Sequence, residues 1–405
     1  MREAPPAIRL LDGAFYAGDP HPAFTWMRAH EPVYWDDSAG VWGVSLHEDV
    51  MEVSRRPDLF CSRLSSRPDA PPIPSMINLD DPLHRRRRGL VNKGFTPRRV
   101  AEHEARIRGL CRTLIETARA RGRFDFVREI AAPLPMAMIG DLLGVAPEDR
   151  SMLQRWSDDL IAGTSATAPP DAADRALQAF REWCDYGLRV IAERRARAGP
   201  GSGGDDLMGV LVGAEIEGER LGDEELLQEG LLILVGGNET TRHVITGGCE
   251  ALIRHPEQRR ALVAEPARIP TAVEEMLRWV TPIQNMNRTA TRDTTLRGRR
   301  IREGDKLLLL YPSANRDERV FPRPFDFDAG RDPNPHLAFG LGAHFCLGAS
   351  LARLELRVLF EELLARLPAL ELASEAPLAA TPSNFIRGIP AMEVRVPGCL
   401  GGAAR

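Results

Sequence analysis

Closely spaced cysteines, long hydrophobic runs and strong net charge are all missing from this sequence. Its six cysteines are scattered over 405 residues without a CxxC pair, which argues against a disulfide framework and for a reducing compartment. The longest apolar runs, at 231–235 and 307–311, are far shorter than the roughly 20 residues that span a bilayer. The net charge of −4 would not draw the chain onto nucleic acid. We therefore expect a cytoplasmic protein without a secretory signal, a transmembrane anchor or a nucleic-acid partner.

The apolar content, in contrast, is that of a large folded protein. With 43% hydrophobic residues, the chain can bury a sizeable core. Residues 33–37 and 41–46 predict a β-hairpin, and from 98 to about 280 the apolar residues recur mostly with helical spacing. Short strands are expected at 294–298, 307–311 and 392–396. The pattern predicts a mainly α fold in which residues 1–405 form a single domain.

Turn-rich stretches separate the predicted helices. Residues 163–173 and 198–206 are small, polar and rich in glycine or proline, so we expect loops there, the first of which could act as a lid. A helix is expected at 98–122, where it stops at a glycine. A long loop at 312–345 is predicted to lead into a last helix at 347–367.

The predicted helix at 223–256 has a nearly all-apolar middle, so it should run through the core. Gly236 and Gly237 lie in that middle, where each glycine costs about 1 kcal/mol. Without side chains they leave a groove in which a small ligand can approach the backbone. The hydroxyl of Thr240 can bond to the carbonyl of Gly236, four residues back, and the carboxylate of Glu239 is costly to bury without a role or a partner. These residues together resemble a proton-delivery device, and the alternative is a kinked helix in which Glu239 forms an ion pair with Arg242 or His243.

The segment 336–356 combines a cysteine with glycines directly before the last helix. Cys346 would sit near the N-terminus of that helix, where the dipole and free N–H groups favour a thiolate. Gly340, Gly342 and Gly348 allow tight turns and a close approach of the backbone to a flat macrocycle. The alternative is a buried cysteine that packs as a small hydrophobic residue.

This segment resembles the signature Phe-x-x-Gly-x-x-x-Cys-x-Gly of the cytochrome P450 superfamily, here Phe339, Gly342, Cys346 and Gly348. The resemblance extends over essentially the whole chain. It implies a helix-rich triangular prism with small β-sheets, heme b (iron protoporphyrin IX) as the cofactor and Cys346 as the iron ligand. It also implies O2 as a substrate, with Thr240 hydrogen-bonded to bound dioxygen and Glu239 relaying protons.

The resemblance assigns further residues around the haem. Four basic residues match the family's propionate contacts: His84, Arg88, Arg288 and His344. The haem would also contact Gly236, Gly237, Phe339, Gly340 and Gly348. Arginine suits such contacts because its fork matches a carboxylate. A structural triad, which would fix the loop that presents the cysteine, matches Glu275, Arg278 and Arg331.

The substrate expectation depends on less general stretches, chiefly PIQNM (282–286) and RWSDDL (155–160). They are similar to actinobacterial P450s that hydroxylate the terminal methyl of sterol side chains. The expected pocket is apolar, which suits a hydrophobic substrate, and would be lined by Met76, Ile77, Val235, Val280, Ile283, Met286, Phe385 and Ile386. The alternatives are a biosynthetic hydroxylase or epoxidase of a polyketide, terpene or carrier-bound acyl group, and a haem sensor or electron carrier that oxygenates nothing.

The resemblance also implies how electrons arrive. Two electrons would come singly from NAD(P)H through a ferredoxin reductase and a ferredoxin. Lys93, Arg98 and Arg99 would lie near the cysteine side of the haem, and a basic patch there suits an acidic ferredoxin. We expect the enzyme to act as a monomer.

Overall fold

The structure, a computed structural model, describes residues 7–162, 170–197, 206–215 and 218–397. Within these ranges the chain forms fifteen α-helices, which are α1 (Gly13–Ala17), α2 (His21–His30), α3 (His47–Arg55), α4 (Leu83–Asn92), α5 (Pro97–Glu102), α6 (Glu104–Arg119), α7 (Pro133–Leu143), α8 (Arg150–Ala162), α9 (Ala172–Arg197), α10 (Leu207–Gly213), α11 (Asp223–Arg254), α12 (Pro256–Ala264), α13 (Ile269–Val280), α14 (Tyr311–Ala314) and α15 (Ala349–Arg366). With the short 3₁₀ and π turns included, about 55% of the described residues are helical, so the mainly α fold is confirmed.

The strands are short. In the described residues they are β1 (Val33–Asp36), β2 (Val41–Val44), β3 (Phe60–Cys61), β4 (Arg123–Asp125), β5 (Asn285–Ala290), β6 (Thr294–Leu296), β7 (Arg299–Ile301), β8 (Lys306–Leu310), β9 (Glu371–Leu372) and β10 (Glu393–Arg395). They form a five-stranded sheet of order β1-β2-β8-β5-β3, a three-stranded sheet of order β4-β10-β9 and the pair β6-β7. The larger sheet mixes antiparallel pairs with one parallel pair, β2 with β8.

Helix α11 is the long central helix that the apolar pattern predicts. Its 32 residues correspond to about 48 Å at 1.5 Å per residue. The Glu225 side chain accepts the N–H of Gly222 at 3.0 Å and satisfies a donor at the start of the helix. The helix ends at Arg254, two residues before Pro256, which cannot continue it. It packs against α7, α9, α13 and the other core helices, so the residues of its middle are enclosed by polypeptide.

Most of the expected elements are present, and two differ. The hairpin pairs Val33 with Val44 and is confirmed. The helix expected at 98–122 is interrupted at His103, whose N–H bonds three residues back to Val100 and tightens the turn. The segment 312–345 is not all loop, because Pro312 at the start of α14 is pre-set for a helical turn.

The expected loops at 163–173 and 198–206 fall largely outside the described residues. No helix in the described part of the chain is long and apolar enough to cross a membrane.

Candidate haem-thiolate site

The loop before α15 presents the Cys346 side chain. The N–H of Cys346 donates to the carbonyl of Phe339 at 2.9 Å and closes the loop. Gly340 and Gly342 have φ values of +66° and +77°, a conformation that favours glycine. A Cβ on Gly342 would also meet the carbonyl oxygen of Ser54 at 2.5 Å. The two glycines therefore bend the loop so that its last turn presents the cysteine just before the helix.

Cys346 is an exposed residue, although many protein atoms surround its thiol. Desolvation there raises its pKa, while the N–H of Gly348 and the positive charge of Arg88 oppose that rise. The predicted effect of the helix N-terminus is present, but in the chain alone desolvation outweighs it. A bound metal would supply the missing stabilisation of the thiolate, since a thiol loses its proton when it coordinates a metal.

A buried cluster around Glu275 fixes the segment that leads to this loop. Arg278 donates to the two carboxylate oxygens of Glu275 at 2.7 and 2.7 Å, and Arg331 donates at 3.0 Å. The carboxylate also accepts the N–H of Asp328 at 2.8 Å and the side-chain amide of Asn334 at 3.1 Å. Both arginines then donate to backbone carbonyls between residues 315 and 326. The three residues expected to form a triad are in contact and hold an otherwise irregular segment.

Four basic side chains meet beside the cysteine loop. The rings of His84 and His344 lie 4.1 Å apart, and Arg88 donates to the carbonyl of Phe345 at 2.5 Å. Desolvation, followed by the positive charges of Arg288, His84 and Arg88, lowers the pKa of His344 to about 3. His84, Arg88 and Arg288 are thus all close enough to His344 to disfavour its charged form.

Little negative charge balances this basic cluster. Arg288 is 7% exposed and donates to the carbonyl of Asn287, but no carboxylate lies within ion-pair distance of it among the described residues. The buried Nε2 of His84 also has no hydrogen-bond partner in the described part of the chain. Asp81 approaches only the other ring nitrogen, at 3.6 Å. Two propionate carboxylates would supply the missing acceptors, so the cluster fits the edge of a haem.

The middle of α11 opens at Gly236, which is exposed although its helix runs through the core. A Cβ on Gly236 or Gly348 would meet no atom within 4 Å among the described residues, so both glycines border free space. The Thr240 hydroxyl donates to the carbonyl of Gly236 at 2.9 Å, as predicted. Gly237 differs from the expectation, because a Cβ there would lie 2.4 Å from the side chain of Ile139. Adjacent helical residues point about 100° apart, so Gly237 serves the packing of α11 on α7, and only Gly236 borders the opening.

Glu239 lies behind this opening and is 3% exposed. Its carboxylate accepts from Arg242 and lies 3.5 Å from Nε2 of His243, so the ion pair considered as an alternative is present. Arg242 also lies 3.5 Å from Asp158, a residue of α8 whose side chain is 50% exposed. The ion pair therefore does not isolate the Glu239 carboxylate from solvent. It forms the first part of a polar connection from Glu239 to a side chain that reaches solvent.

The expected substrate residues come together in part. Ile283 forms a backbone bridge with Ile386, and the N–H of Gln284 donates to the carbonyl of Phe385 at 2.8 Å. Met286 lies in β5, and Val235 directly precedes Gly236. Met76 and Ile77 lie together on a single 3₁₀ turn, Met76–Asn78.

Val280 was expected to line the pocket, but its side chain contacts a different part of α11. Its side chain lies where a Cβ on Gly247 would be, at 2.7 Å, so it packs against α11 beyond the site. This contact is the reason to regard Val280 mainly as a core residue.

Sequence reasoning missed several residues that support the site. Asn315 joins Thr281 to the backbone of Leu337 through hydrogen bonds of 2.8 and 2.7 Å. Glu229 lies on the same face of α11 as Gly236, seven residues earlier, and is completely buried. The helical period that identified the groove could have found Glu229, whereas the contacts of Asn315 are long-range and leave no local pattern.

A cysteine at a helix start, an open glycine with a threonine on the central helix, and an unbalanced basic cluster at the edge define the site of a haem-thiolate enzyme. The family model for cytochrome P450 matches residues 20–378. The chain belongs to the cytochrome P450 family and is a monooxygenase.

Similar proteins span nearly the whole chain. A steroid C26-monooxygenase of Mycolicibacterium smegmatis is 48% identical over 96% of both chains. A methyl-branched lipid omega-hydroxylase of Mycobacterium bovis is 39% identical over 92% of this chain and 90% of its own. Among solved structures, CYP109E1 of Bacillus megaterium in complex with testosterone is 33% identical, has a TM-score of 0.85 and covers 94% of this chain and 100% of its own.

Proposed function

We propose that this enzyme hydroxylates the terminal methyl of a steroid side chain, with cholesterol or cholest-4-en-3-one as the substrate. The observation that carries the proposal is the 48% identity, over 96% of both chains, to a steroid C26-monooxygenase. The mostly apolar character of the expected pocket, from Met76 and Ile77 to Phe385 and Ile386, supports a hydrophobic substrate. The product is an alcohol at the end of the side chain, and further oxidation at the same carbon would give the aldehyde and the acid.

The residues of the chain divide between holding the haem and handling protons. Cys346 would ligate the iron, and His84, Arg88, Arg288 and His344 would bind the propionates. The haem, when bound, supplies the electron transfer and oxygen activation. As a thiolate ligand of the haem, Cys346 would favour cleavage of the O–O bond.

The residues that would handle protons, Thr240 and Glu239, both lie on α11. Thr240 Oγ1 holds its proton toward the carbonyl of Gly236 at rest, and it can rotate to donate toward the free space beside that glycine. Glu239 would resupply this proton, and the contact of Arg242 with Asp158 links Glu239 to solvent. This arrangement supports oxygenation over a sensor or an electron carrier, because neither of those needs a proton supply.

We further propose that the electrons come from NAD(P)H through a ferredoxin reductase and a ferredoxin. Arg98, whose side chain is 90% exposed, is accessible for docking. Lys93 donates to the carbonyl of Glu215, so its docking role requires that this contact open. We also propose that the enzyme is monomeric and cytoplasmic and does not bind nucleic acid.

A second candidate substrate is a methyl-branched lipid, which the 39% identity to an omega-hydroxylase favours. Both candidates present a terminal methyl to the oxidant, so the position attacked is common to them. They differ in the rigid ring system that fills the rest of the pocket.

Spectral titration of the purified ferric enzyme separates the two candidates. Cholest-4-en-3-one should shift the iron from low to high spin with tight affinity, and reconstituted turnover should yield a side-chain alcohol by mass spectrometry. A methyl-branched fatty acid of similar length serves as the comparison. If only the fatty acid shifts the spectrum, the steroid proposal is wrong and the lipid becomes the substrate. If neither does, both proposals fail and a biosynthetic substrate is indicated.

A further inference from the structure

Helix α11 carries a second buried carboxylate that the proposed proton supply does not use. Glu229 lies seven residues before Gly236 and eleven before Thr240, which is two and three helical turns along the same face. Its side chain is 0% exposed. One oxygen, Oε1, accepts the backbone N–H of Met76 at 2.7 Å. The other, Oε2, has no hydrogen-bond partner among the described residues.

The contact to Met76 joins two distant parts of the chain. Met76 begins the 3₁₀ turn that also contains Ile77, and both residues are expected to line the substrate pocket. The other hydrogen bonds of Asn78 in this turn stay within residues 66–78: its side chain accepts the N–H of Ser66 at 2.7 Å and donates to the carbonyl of Ile73 at 3.3 Å. The bond to Glu229 is therefore what anchors the N–H of this turn to the central helix.

Arg87 of α4 reinforces the same junction. Its guanidinium donates to the carbonyl of Pro74 at 3.2 Å and lies 3.5 Å from Oε1 of Glu229. Its other terminal nitrogen pairs with Glu225, one turn earlier on α11. Burial raises the pKa of Glu229 to about 7, against the opposing effects of the Met76 N–H and the Arg87 charge. A carboxylate kept in so unfavourable a place needs a compensating role.

We propose that Glu229 is a positioning residue: it fixes the segment 73–78 against α11 and so sets how tightly the pocket binds apolar ligands. It takes no part in oxygen chemistry. The inference deepens the proposed function, since it uses the expectation that Met76 and Ile77 line the substrate pocket.

Three variants of the haem-loaded enzyme test this role. Glu229→Leu removes the acceptor, Glu229→Gln keeps an oxygen for the Met76 N–H but removes the charge, and Glu225→Gln is the matched control. Glu225 also pairs with Arg87 but has no contact with the segment among the described residues. The readouts are hydrogen exchange at the Met76 amide and spectral titration with two ligands, cholest-4-en-3-one and 4-phenylimidazole. The azole reports on the pocket whatever the natural substrate is.

In Glu229→Leu, the Met76 amide should exchange faster and the Kd for both ligands should rise about tenfold, as expected when one hydrogen bond to a charged group is lost. In turnover KM should rise while kcat changes little. Glu229→Gln should restore the affinity. Glu225→Gln removes only the charge of one partner of Arg87, so its affinity should fall far less than that of Glu229→Leu. Unchanged exchange and affinity in Glu229→Leu would overturn the inference, and so would an equal loss of affinity in Glu225→Gln.

A change on the other side of the bond covers the case in which Glu229→Leu does not fold. Met76→Pro removes the N–H donor and leaves Glu229 in place. Proline is tolerated at the first position of a helical turn, and Ser75 has an extended conformation that suits a following proline. Faster exchange at Ile77 and Asn78 in this variant supports the inference, and unchanged exchange contradicts it. If the sterol fails to bind the wild type while the azole responds as expected, the steroid proposal falls and the role of Glu229 stands.

Discussion

Replacing Glu275 by glutamine would remove the single negative charge that Arg278 and Arg331 share. The site has no room for rearrangement, because the side chains of Glu275 and Arg278 are 0% exposed and that of Arg331 is 7% exposed. Glutamine keeps one carbonyl oxygen but places an NH2 group where the second oxygen was. Whichever way the amide points, donors that now reach an acceptor would face another donor.

The cost follows from the burial of the partners. Breaking a buried ion pair by removing one member typically costs about 3–5 kcal/mol, since it leaves an uncompensated charge in the core. For a chain of this size, such a loss should lower the Tm by roughly 4–6 °C. The segment that leads to the cysteine loop should be freed with it, because both arginines also hold its backbone carbonyls.

Two measurements check this prediction. Thermal unfolding gives the change in Tm, and the absorption of the ferrous carbon monoxide complex reports whether Cys346 still ligates the iron as a thiolate. Glu52→Gln is the control, because Glu52 pairs with Arg56 on the surface, where both side chains are 44% exposed. Its loss should cost about 1 kcal/mol or less. If both variants unfold alike and both keep the thiolate spectrum, the reasoning about the buried cluster is refuted.

Three further predictions test the site. Thr240→Ala removes the hydroxyl that bonds to Gly236, so NADH consumption should continue while the yield of product per NADH falls several-fold. Thr241→Ala is the control, and an unchanged yield in Thr240→Ala would contradict the role of Thr240. Arg288→Gln removes a buried charge expected at a propionate, so transfer of haem to apomyoglobin should be at least several-fold faster than from the wild type, and an unchanged rate would disprove the assignment. Burial raises the pKa of Glu355 from 4.5 to about 8, so its ionisation opposes folding, and the resulting stability loss develops as pH rises from about 4.5 to about 8. Urea unfolding at pH 5 and at pH 8 gives the loss of unfolding free energy between the two, and this loss should be smaller in Glu355→Gln than in the wild type by up to about 4 kcal/mol. If the unfolding free energies of the two proteins change equally with pH, Glu355 is not the group responsible.

Features that depend on neighbours in sequence were predictable. The hairpin at 33–44 follows from a turn between two alternating stretches, and the bond from Thr240 to Gly236 follows from the spacing of four residues in a helix. The cysteine loop was recognisable because its glycines, its cysteine and the following helix are contiguous. In each case the physical cause operates within about ten residues.

Features that depend on distant partners were not predictable. Nothing near Gly237 indicates that Ile139 will lie against it, and nothing near Glu229 indicates the N–H of Met76, 153 positions away. The path from Arg242 to Asp158 likewise requires that α8 pack on α11. One-dimensional patterns identify a helix face but do not identify which partner will cover it.

The parallel pairing of β2 with β8 has a consequence for synthesis of the chain. Trp42 of β2 donates to Asp305, just before β8, 263 positions away. At about 5–20 residues per second, a ribosome needs on the order of 10–50 seconds to make the intervening chain. For that time the inner edge of the first hairpin is unpaired and its apolar face is uncovered. The N-terminal part of the enzyme is therefore open to premature association with other chains while it is being made.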